Sequence, residues 1–170
     1  KRELVAEPVG RSLLETERCL LLERLGASDP SALTSALAGY RAALALWPES
    51  LLAARGLERI ASREGDRASL LESQLALAGL VDRPEDSARC SVRAAELVLA
   101  QGGDGAETRA IDLYERALST DPDNEAAVIA LERLLHTNAE RLIDRFRVAQ
   151  ERAAKDVQIV QLGRAIGEAV

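Results

Sequence analysis

The sequence predicts an all-α protein, an α-solenoid of antiparallel helix hairpins. Its composition favours Ala, Leu, Arg and Glu, which are strong helix formers, whereas aromatic residues make up only 2% of the 170 positions. Proline and glycine divide the chain into short segments of helix length. Within each segment apolar residues recur every three or four positions, which is the period of an amphipathic helix. Such helices bury their apolar faces by packing each one against the next.

Four prolines recur at near-even intervals, because Pro8, Pro48, Pro84 and Pro122 lie 40, 36 and 38 residues apart. Proline is tolerated in the first turn of a helix but not in its interior, and acidic residues favoured by the helix dipole follow three of the four. We therefore expect these prolines to mark helix starts. A second set of breaks lies between them, at 26–30, 64–66, 102–105 and 136–138.

These breaks define the predicted elements. After residues 1–7, read as the tail of an earlier helix, the helices span about 10–25, 30–46, 49–62, 67–80, 85–100, 106–119, 123–135, 139–153 and 157–169. The turns between them are short, so we expect neighbouring helices to pack antiparallel.

An internal repeat agrees with this arrangement. The segment 40–44, followed by Pro48, returns 74 residues later as 114–118, followed by Pro122. In the same register Ala36 matches Ala110, Ala53 matches Ala127, and 57–60 matches 131–134. No gap is needed, so we interpret the chain as a 74-residue double repeat, each unit holding two hairpins of about 37 residues.

The second helix of a hairpin carries a small residue, an aromatic residue four positions later, a small residue three positions later and then proline. Ala36, Tyr40, Ala43 and Pro48 fit this pattern, as do Ala110, Tyr114, Ala117 and Pro122, while Leu142, Phe146 and Ala149 fit its spacing without the proline. The pattern resembles that of the tetratricopeptide repeat (TPR) family. The resemblance implies a right-handed superhelix, a single domain over 1–170 with about four hairpins plus partial units at its ends.

The resemblance covers about 160 residues, but only half of them match specifically. In the helix near 67–80 the three slots are filled by Ala68, Glu72 and Leu75, so the aromatic residue is missing, and Arg93 stands where the family usually has an apolar residue. A related helical repeat, such as HEAT or half-a-TPR, is the alternative for these divergent parts.

Composition also excludes classes of partner and location. A net charge of −6 gives nucleic acid no electrostatic attraction, and no apolar run is long enough for a transmembrane helix. The start has no apolar signal-peptide core, so a cytoplasmic location is favoured. The chain has no Met, which suggests an internal fragment of a longer protein, and its preference for Arg over Lys is associated with high-GC bacterial genes.

The residues that could take part in catalysis are better explained by structural roles. His136 is the only histidine and is expected to cap a helix end, and the glycines of 102–105 lack the Lys-Ser/Thr of a phosphate loop. Cys19 and Cys90 lie among apolar residues, where a free thiol behaves as a small hydrophobe. The sequence therefore predicts no enzyme, no cofactor and no metal site.

The arginines Arg55, Arg59 and Arg63 are spaced four residues apart, on one face of one helix, and Arg89 and Arg93 lie on the next first helix. By resemblance to the TPR family these positions face the concave groove. Arginine binds carboxylates bidentately, so the expected guest is another protein or an acidic peptide segment. The alternative is a solvated face whose charge Glu58 and Glu64 balance.

Two functions therefore stay open. One is a protein- or peptide-binding scaffold that uses this groove. The other is a structural or oligomerisation segment of a larger multi-repeat protein with no groove ligand. The last predicted helix, 157–169, should expose an apolar face, which predicts either self-association or continuation of the solenoid in a longer protein.

Overall fold

A computed structural model of the chain describes residues 7–26, 29–136 and 147. Its described part is all-helical and contains seven α-helices. They are α1 (Pro8–Leu25), α2 (Pro30–Leu46), α3 (Leu51–Glu64), α4 (Arg67–Leu80), α5 (Pro84–Gln101), α6 (Ala106–Thr120) and α7 (Glu125–Leu135). The predicted helices 139–153 and 157–169, the tail at 1–6 and the slots at Leu142, Phe146 and Ala149 lie outside the described residues.

Prolines and capping side chains determine where the helices begin. Proline is the first residue of α1, α2 and α5, as the sequence predicts. The side chains of Asp29, Ser50 and Asp66 accept hydrogen bonds from backbone N–H groups in the first turns of α2, α3 and α4. These caps fix the helix starts because they satisfy donors that have no partner within the helix.

Pro48 and Pro122 do not begin helices, and the prediction was wrong at these two positions. Each is the second residue of a tight turn that precedes the helix. The turns are closed by Ser50 N–H donating to the Trp47 carbonyl at 3.1 Å and by Asn124 N–H donating to the Asp121 carbonyl at 3.2 Å. Proline is favoured at this position of a turn, and the following Ser50 or Asn124 then caps the helix.

Helices that are consecutive in the chain pack against each other from α1 to α6, and α1 also contacts α3. The pair α1 and α2 is antiparallel, because Ser12 near the start of α1 donates to the Ala43 carbonyl near the end of α2, while Gly26 meets Leu33 at the opposite end. A cluster of buried apolar side chains, among them Tyr40 and Leu57, includes residues of all five helices from α1 through α5.

The chain divides into two compact units, Lys1–Val128 and Ile129–Val170. The first unit holds α1 to α6 and the beginning of α7. The interactions of the candidate site described below all lie within the first unit.

The small–aromatic–small slots are buried where an aromatic residue is present. Tyr40 and Tyr114 are 0% and 2% exposed, and the alanines that flank them in the pattern, Ala36, Ala43, Ala110 and Ala117, are fully buried. In α4, by contrast, the slots assigned to Ala68, Glu72 and Leu75 are exposed, and that assignment was wrong. Gln74 and Leu77 are buried instead, so the register differs by two residues.

Candidate functional site

The predicted arginines lie on two helices, α3 and α5, each of which is the first helix of its hairpin. On α3 they follow the four-residue spacing that places Arg55, Arg59 and Arg63 along one stripe, and Arg89 and Arg93 lie on α5. We call the surface formed by these five residues the arginine face. Its side chains are 46–73% exposed, and every one contacts a carboxylate of the same chain.

The Glu23 cluster joins α1, α2 and α3. Arg59 of α3 donates to the Glu23 carboxylate from Nε at 2.7 Å and from Nη2 at 2.5 Å, which is a bidentate pair. Tyr40 of α2 donates its hydroxyl hydrogen to the same carboxylate, and Arg59 Nη2 lies 3.4 Å from the Tyr40 hydroxyl oxygen. The Glu23 side chain is only 17% exposed, so it is held mainly by protein groups.

The Glu58 cluster has the same plan one hairpin further along. Gln74 of α4 donates to Glu58 Oε1 at 2.8 Å, as Tyr40 does to Glu23. Arg93 of α5 approaches that carboxylate at 3.8 Å, as Arg59 approaches Glu23. Arg55 adds a hydrogen bond of 2.9 Å from within α3. Both clusters therefore link one first helix to its partner helix and to the next first helix.

The contacts within the Glu23 cluster shift the pKa values of its three ionisable groups. Burial has the largest single effect and would raise the pKa of Glu23. The hydrogen bonds from Arg59 and Tyr40, together with the positive charges of Arg59 and Arg63, outweigh burial and lower that pKa. Burial, and then the Glu23 hydrogen bond, raise the pKa of the Tyr40 hydroxyl. The hydrogen bond with Glu23 raises the pKa of Arg59. At neutral pH the cluster thus holds an ionised carboxylate, a neutral phenol and a charged guanidinium.

Two arginines are held more loosely. Arg63 lies 3.9 Å from Glu64, a neighbour in sequence, and both side chains are about half exposed. Arg89 pairs with Asp86 at 3.0 Å on the same helix, yet 73% of its side chain is exposed. Exposed pairs of this kind contribute about 0–1 kcal/mol, because water competes for both charges.

An acidic cleft lies beside the arginine face. Its volume is about 400 Å³, and it is formed by the start of α5, the turn before α7 and the first residues of α7. The carboxylates that line it are Glu85, Asp121, Asp123 and Glu125, with Arg89 as the one lining side chain of positive charge. Positive and negative surfaces thus adjoin at Arg89.

The histidine and the two cysteines considered in the sequence lie at a helix end and in the core. His136 is exposed, and its N–H donates to the Glu132 carbonyl just after α7. Cys19 and Cys90 are buried and unbridged; burial, and then Glu15, raise the pKa of Cys19 to about 11, and burial raises the pKa of Cys90. Thiols of this kind are protonated near neutral pH and poorly nucleophilic.

Within residues 7–26 and 29–136, no group of three or more His, Cys, Asp or Glu side chains is arranged to hold a metal ion. None of the helices described combines the length and apolarity that a membrane crossing requires.

No protein-family model matches the chain, and no curated protein is significantly similar to it in sequence. The role of the arginine face is therefore inferred from the contacts and charges of its own residues. Sequence reasoning found the five arginines but missed Glu23, the Tyr40 hydroxyl and Gln74. The one available signal was spacing, because Glu23 and Glu58 lie 35 residues apart and Tyr40 and Gln74 lie 34 apart, close to one hairpin.

Proposed function

We propose that the chain is a protein-interaction scaffold of the TPR-like solenoid kind, without catalytic activity or cofactor, whose arginine face binds an acidic segment of a partner protein. The observation that carries this proposal is a group of exposed arginines that outnumber the carboxylates they contact. Five arginines from α3 and α5 share one surface, and the carboxylates they contact number four, namely Glu23, Glu58, Glu64 and Asp86.

The ion pairs within the chain do not prevent such binding. An exposed pair is worth little on its own, so a guest carboxylate can replace an internal partner or share the guanidinium with it. Arginine offers five N–H donors in a planar fork, and the Arg63, Arg89 and Arg93 pairs engage few of them.

The five arginines divide by role in this proposal. Arg59 holds Glu23 of α1 with two hydrogen bonds and so stabilises the packing of hairpins, whereas Arg55 holds Glu58 with one hydrogen bond within α3. Arg63, Arg89 and Arg93 make longer or more exposed contacts and receive the guest. Replacing these three therefore tests binding with the least damage to the fold.

The test uses a fluorescently labelled peptide rich in Asp and Glu, with binding followed by fluorescence anisotropy at low and high salt. The variant Arg63→Glu/Arg89→Glu/Arg93→Glu should weaken binding at least about tenfold, and salt should weaken binding to the unmodified chain. The matched control is Arg67→Glu/Arg109→Glu/Arg116→Glu, which makes the same change in net charge at exposed positions of α4 and α6.

Circular dichroism must be unchanged in both variants. Equal loss of binding in the two variants would mean that the peptide senses only net charge. Retention of binding in the first variant would exclude the arginine face as its site.

A second function, a structural segment without a groove ligand, is favoured by a different observation. The Glu23–Arg59 and Glu58–Arg93 pairs each tie one first helix to the next, which is a cohesive use of the same charges. Under this alternative the unmodified chain binds no acidic peptide at any salt concentration, while Arg59→Gln still lowers its stability.

A further inference from the structure

The charge on the exposed surface of α5 changes sign along one stripe. Glu85, Arg89 and Arg93 stand four residues apart, so their side chains leave the helix on the same face, and all three are more than half exposed. Glu85 lines the acidic cleft, Arg93 belongs to the arginine face, and Arg89 belongs to both. On this helix the arginine face therefore ends where the acidic cleft begins.

The acidic cleft is less neutralised than the arginine face. Every arginine of that face contacts a carboxylate, whereas in the part of the chain that the structure describes no basic side chain forms an ion pair with Asp121, Asp123 or Glu125. The fourth carboxylate of the cleft, Glu85, lies 3.6 Å from Arg83. The negative charge at this end of the arginine face is thus largely uncompensated by the residues around it.

This charge limits which segment the arginine face can bind. A guest that covers Arg93 and continues past Arg89 brings its next side chains to the mouth of the cleft. The carboxylates there would repel an acidic side chain and attract a Lys or Arg side chain, and such a combination of attraction and repulsion is a source of specificity. The volume of about 400 Å³ leaves room for one long side chain.

We propose that the protein segment bound by the arginine face carries both signs of charge. Its acidic residues contact Arg63 and Arg93, and at the end nearest Arg89 a Lys or Arg enters the acidic cleft. The inference rests on the proposed function, because a guest on the arginine face is what brings a basic side chain to the cleft. It makes Asp123 and Glu125 specificity-determining residues, and a wholly acidic segment becomes a poorer guest than a mixed one of equal length.

Two fluorescently labelled peptides of equal length test the inference by fluorescence anisotropy. Each contains a block of Asp and Glu joined to a short tail, which holds two Lys in one peptide and two Gln in the other. Both sequence orders are made, and the order that binds more tightly is used. The Lys peptide should bind the unmodified chain at least about ten times more tightly than the Gln peptide, because its tail meets the carboxylates of the cleft.

Neutralising the cleft should remove this preference. In Asp123→Asn/Glu125→Gln the two peptides should bind within about twofold of each other, since neither attraction nor repulsion remains at these two positions. The matched control, Asp112→Asn/Glu115→Gln, makes the same change in net charge at exposed positions of α6 and should keep the preference. Asp121 is left unchanged because its carboxylate accepts a hydrogen bond from Asn124. Circular dichroism must be unchanged in both variants.

Arg63→Glu/Arg93→Glu separates the inference from the proposed function, because it leaves Arg89 and the cleft intact. If this variant weakens both peptides, yet the unmodified chain binds them equally or the preference survives in Asp123→Asn/Glu125→Gln, the charge order is wrong and the acidic-segment function stands. If neither peptide binds the unmodified chain, or Arg63→Glu/Arg93→Glu weakens neither, the proposed function fails and the inference fails with it.

Discussion

The Glu23 and Glu58 clusters occupy equivalent places in consecutive hairpins but differ in strength. Glu23 receives two short hydrogen bonds from Arg59 and one from the Tyr40 hydroxyl. Glu58 receives single hydrogen bonds from Arg55 and Gln74, and Arg93 remains at 3.8 Å. The carboxylate thus receives more hydrogen bonds where the second helix supplies a tyrosine, and fewer where it supplies a glutamine.

The difference originates in the second helix of each hairpin. The Tyr40 ring is buried and its hydroxyl reaches Glu23, while Gly56 makes room for the ring. Gln74 is equally buried, yet it supplies one amide donor and no ring. One aromatic residue therefore determines both the packing of α2 on α3 and the geometry of the ion pair beside it.

The largest expected effect comes from filling the space that Gly56 leaves. A Cβ at this position would lie 2.3 Å from the Tyr40 ring, so Gly56→Ala requires the ring or the helix to move. We expect a loss of about 2 kcal/mol in the free energy of unfolding, measured by urea denaturation. In a Tyr40→Leu background the same change should cost less than about 0.5 kcal/mol, because the ring is gone.

Gly79 in α4 provides the control. A Cβ there would meet only the Arg116 Nη2 atom, at 4.0 Å, so Gly79→Ala should be neutral or stabilising by about 0.5 kcal/mol. If both glycine variants lose the same stability, the explanation through the Tyr40 ring is wrong.

Much of this hairpin could be predicted from the sequence. The spacing of Ala36, Tyr40 and Ala43 predicted a buried ring between small residues, and all three are buried. The same rule failed in α4, because without an aromatic residue the pattern did not identify Gln74 as the buried position. Apolar periodicity determines which face of a helix is buried only when that face is strongly apolar.

The next effect concerns pH and the Glu23 cluster. The pKa of Glu23 is lowered in the folded chain, so its stabilisation is complete above the unfolded value of about 4.3 and is lost as pH falls through the folded value. We expect Glu23→Gln to cost about 1–2 kcal/mol at pH 7, measured by urea denaturation. The difference between the two proteins should shrink as pH falls below about 4.

Glu15→Gln is the comparison for this pH dependence. Glu15 pairs with Arg18 within α1, and the Arg18 side chain is 56% exposed, so its removal should cost well under 1 kcal/mol at pH 7. An equal cost for Glu15→Gln and Glu23→Gln at pH 7, or a Glu23→Gln cost that does not change between pH 7 and pH 3, would contradict the assigned role of Glu23.

The partner of each arginine could not be predicted from the sequence. Arg55, Arg59 and Arg63 are equivalent in a helical projection, and only the distances between hairpins make Arg59 bidentate and leave Arg63 loose. Glu23 also resembles other acids on α1 until Arg59 and Tyr40 are brought beside it. Contacts between residues 36 positions apart depend on how the hairpins stack, which local patterns do not encode.

The smallest effect separates the two inter-hairpin pairs. Arg93→Gln should change the free energy of unfolding by less than about 0.5 kcal/mol, because its guanidinium is half exposed and 3.8 Å from Glu58. Arg59→Gln should cost about 1 kcal/mol or more, since it removes both hydrogen bonds to a carboxylate that is 17% exposed. Equal costs in urea denaturation would mean that both clusters are structural to the same degree. A negligible cost for Arg93→Gln together with weaker acidic-peptide binding would instead indicate that the loosely held cluster keeps its arginine for a guest.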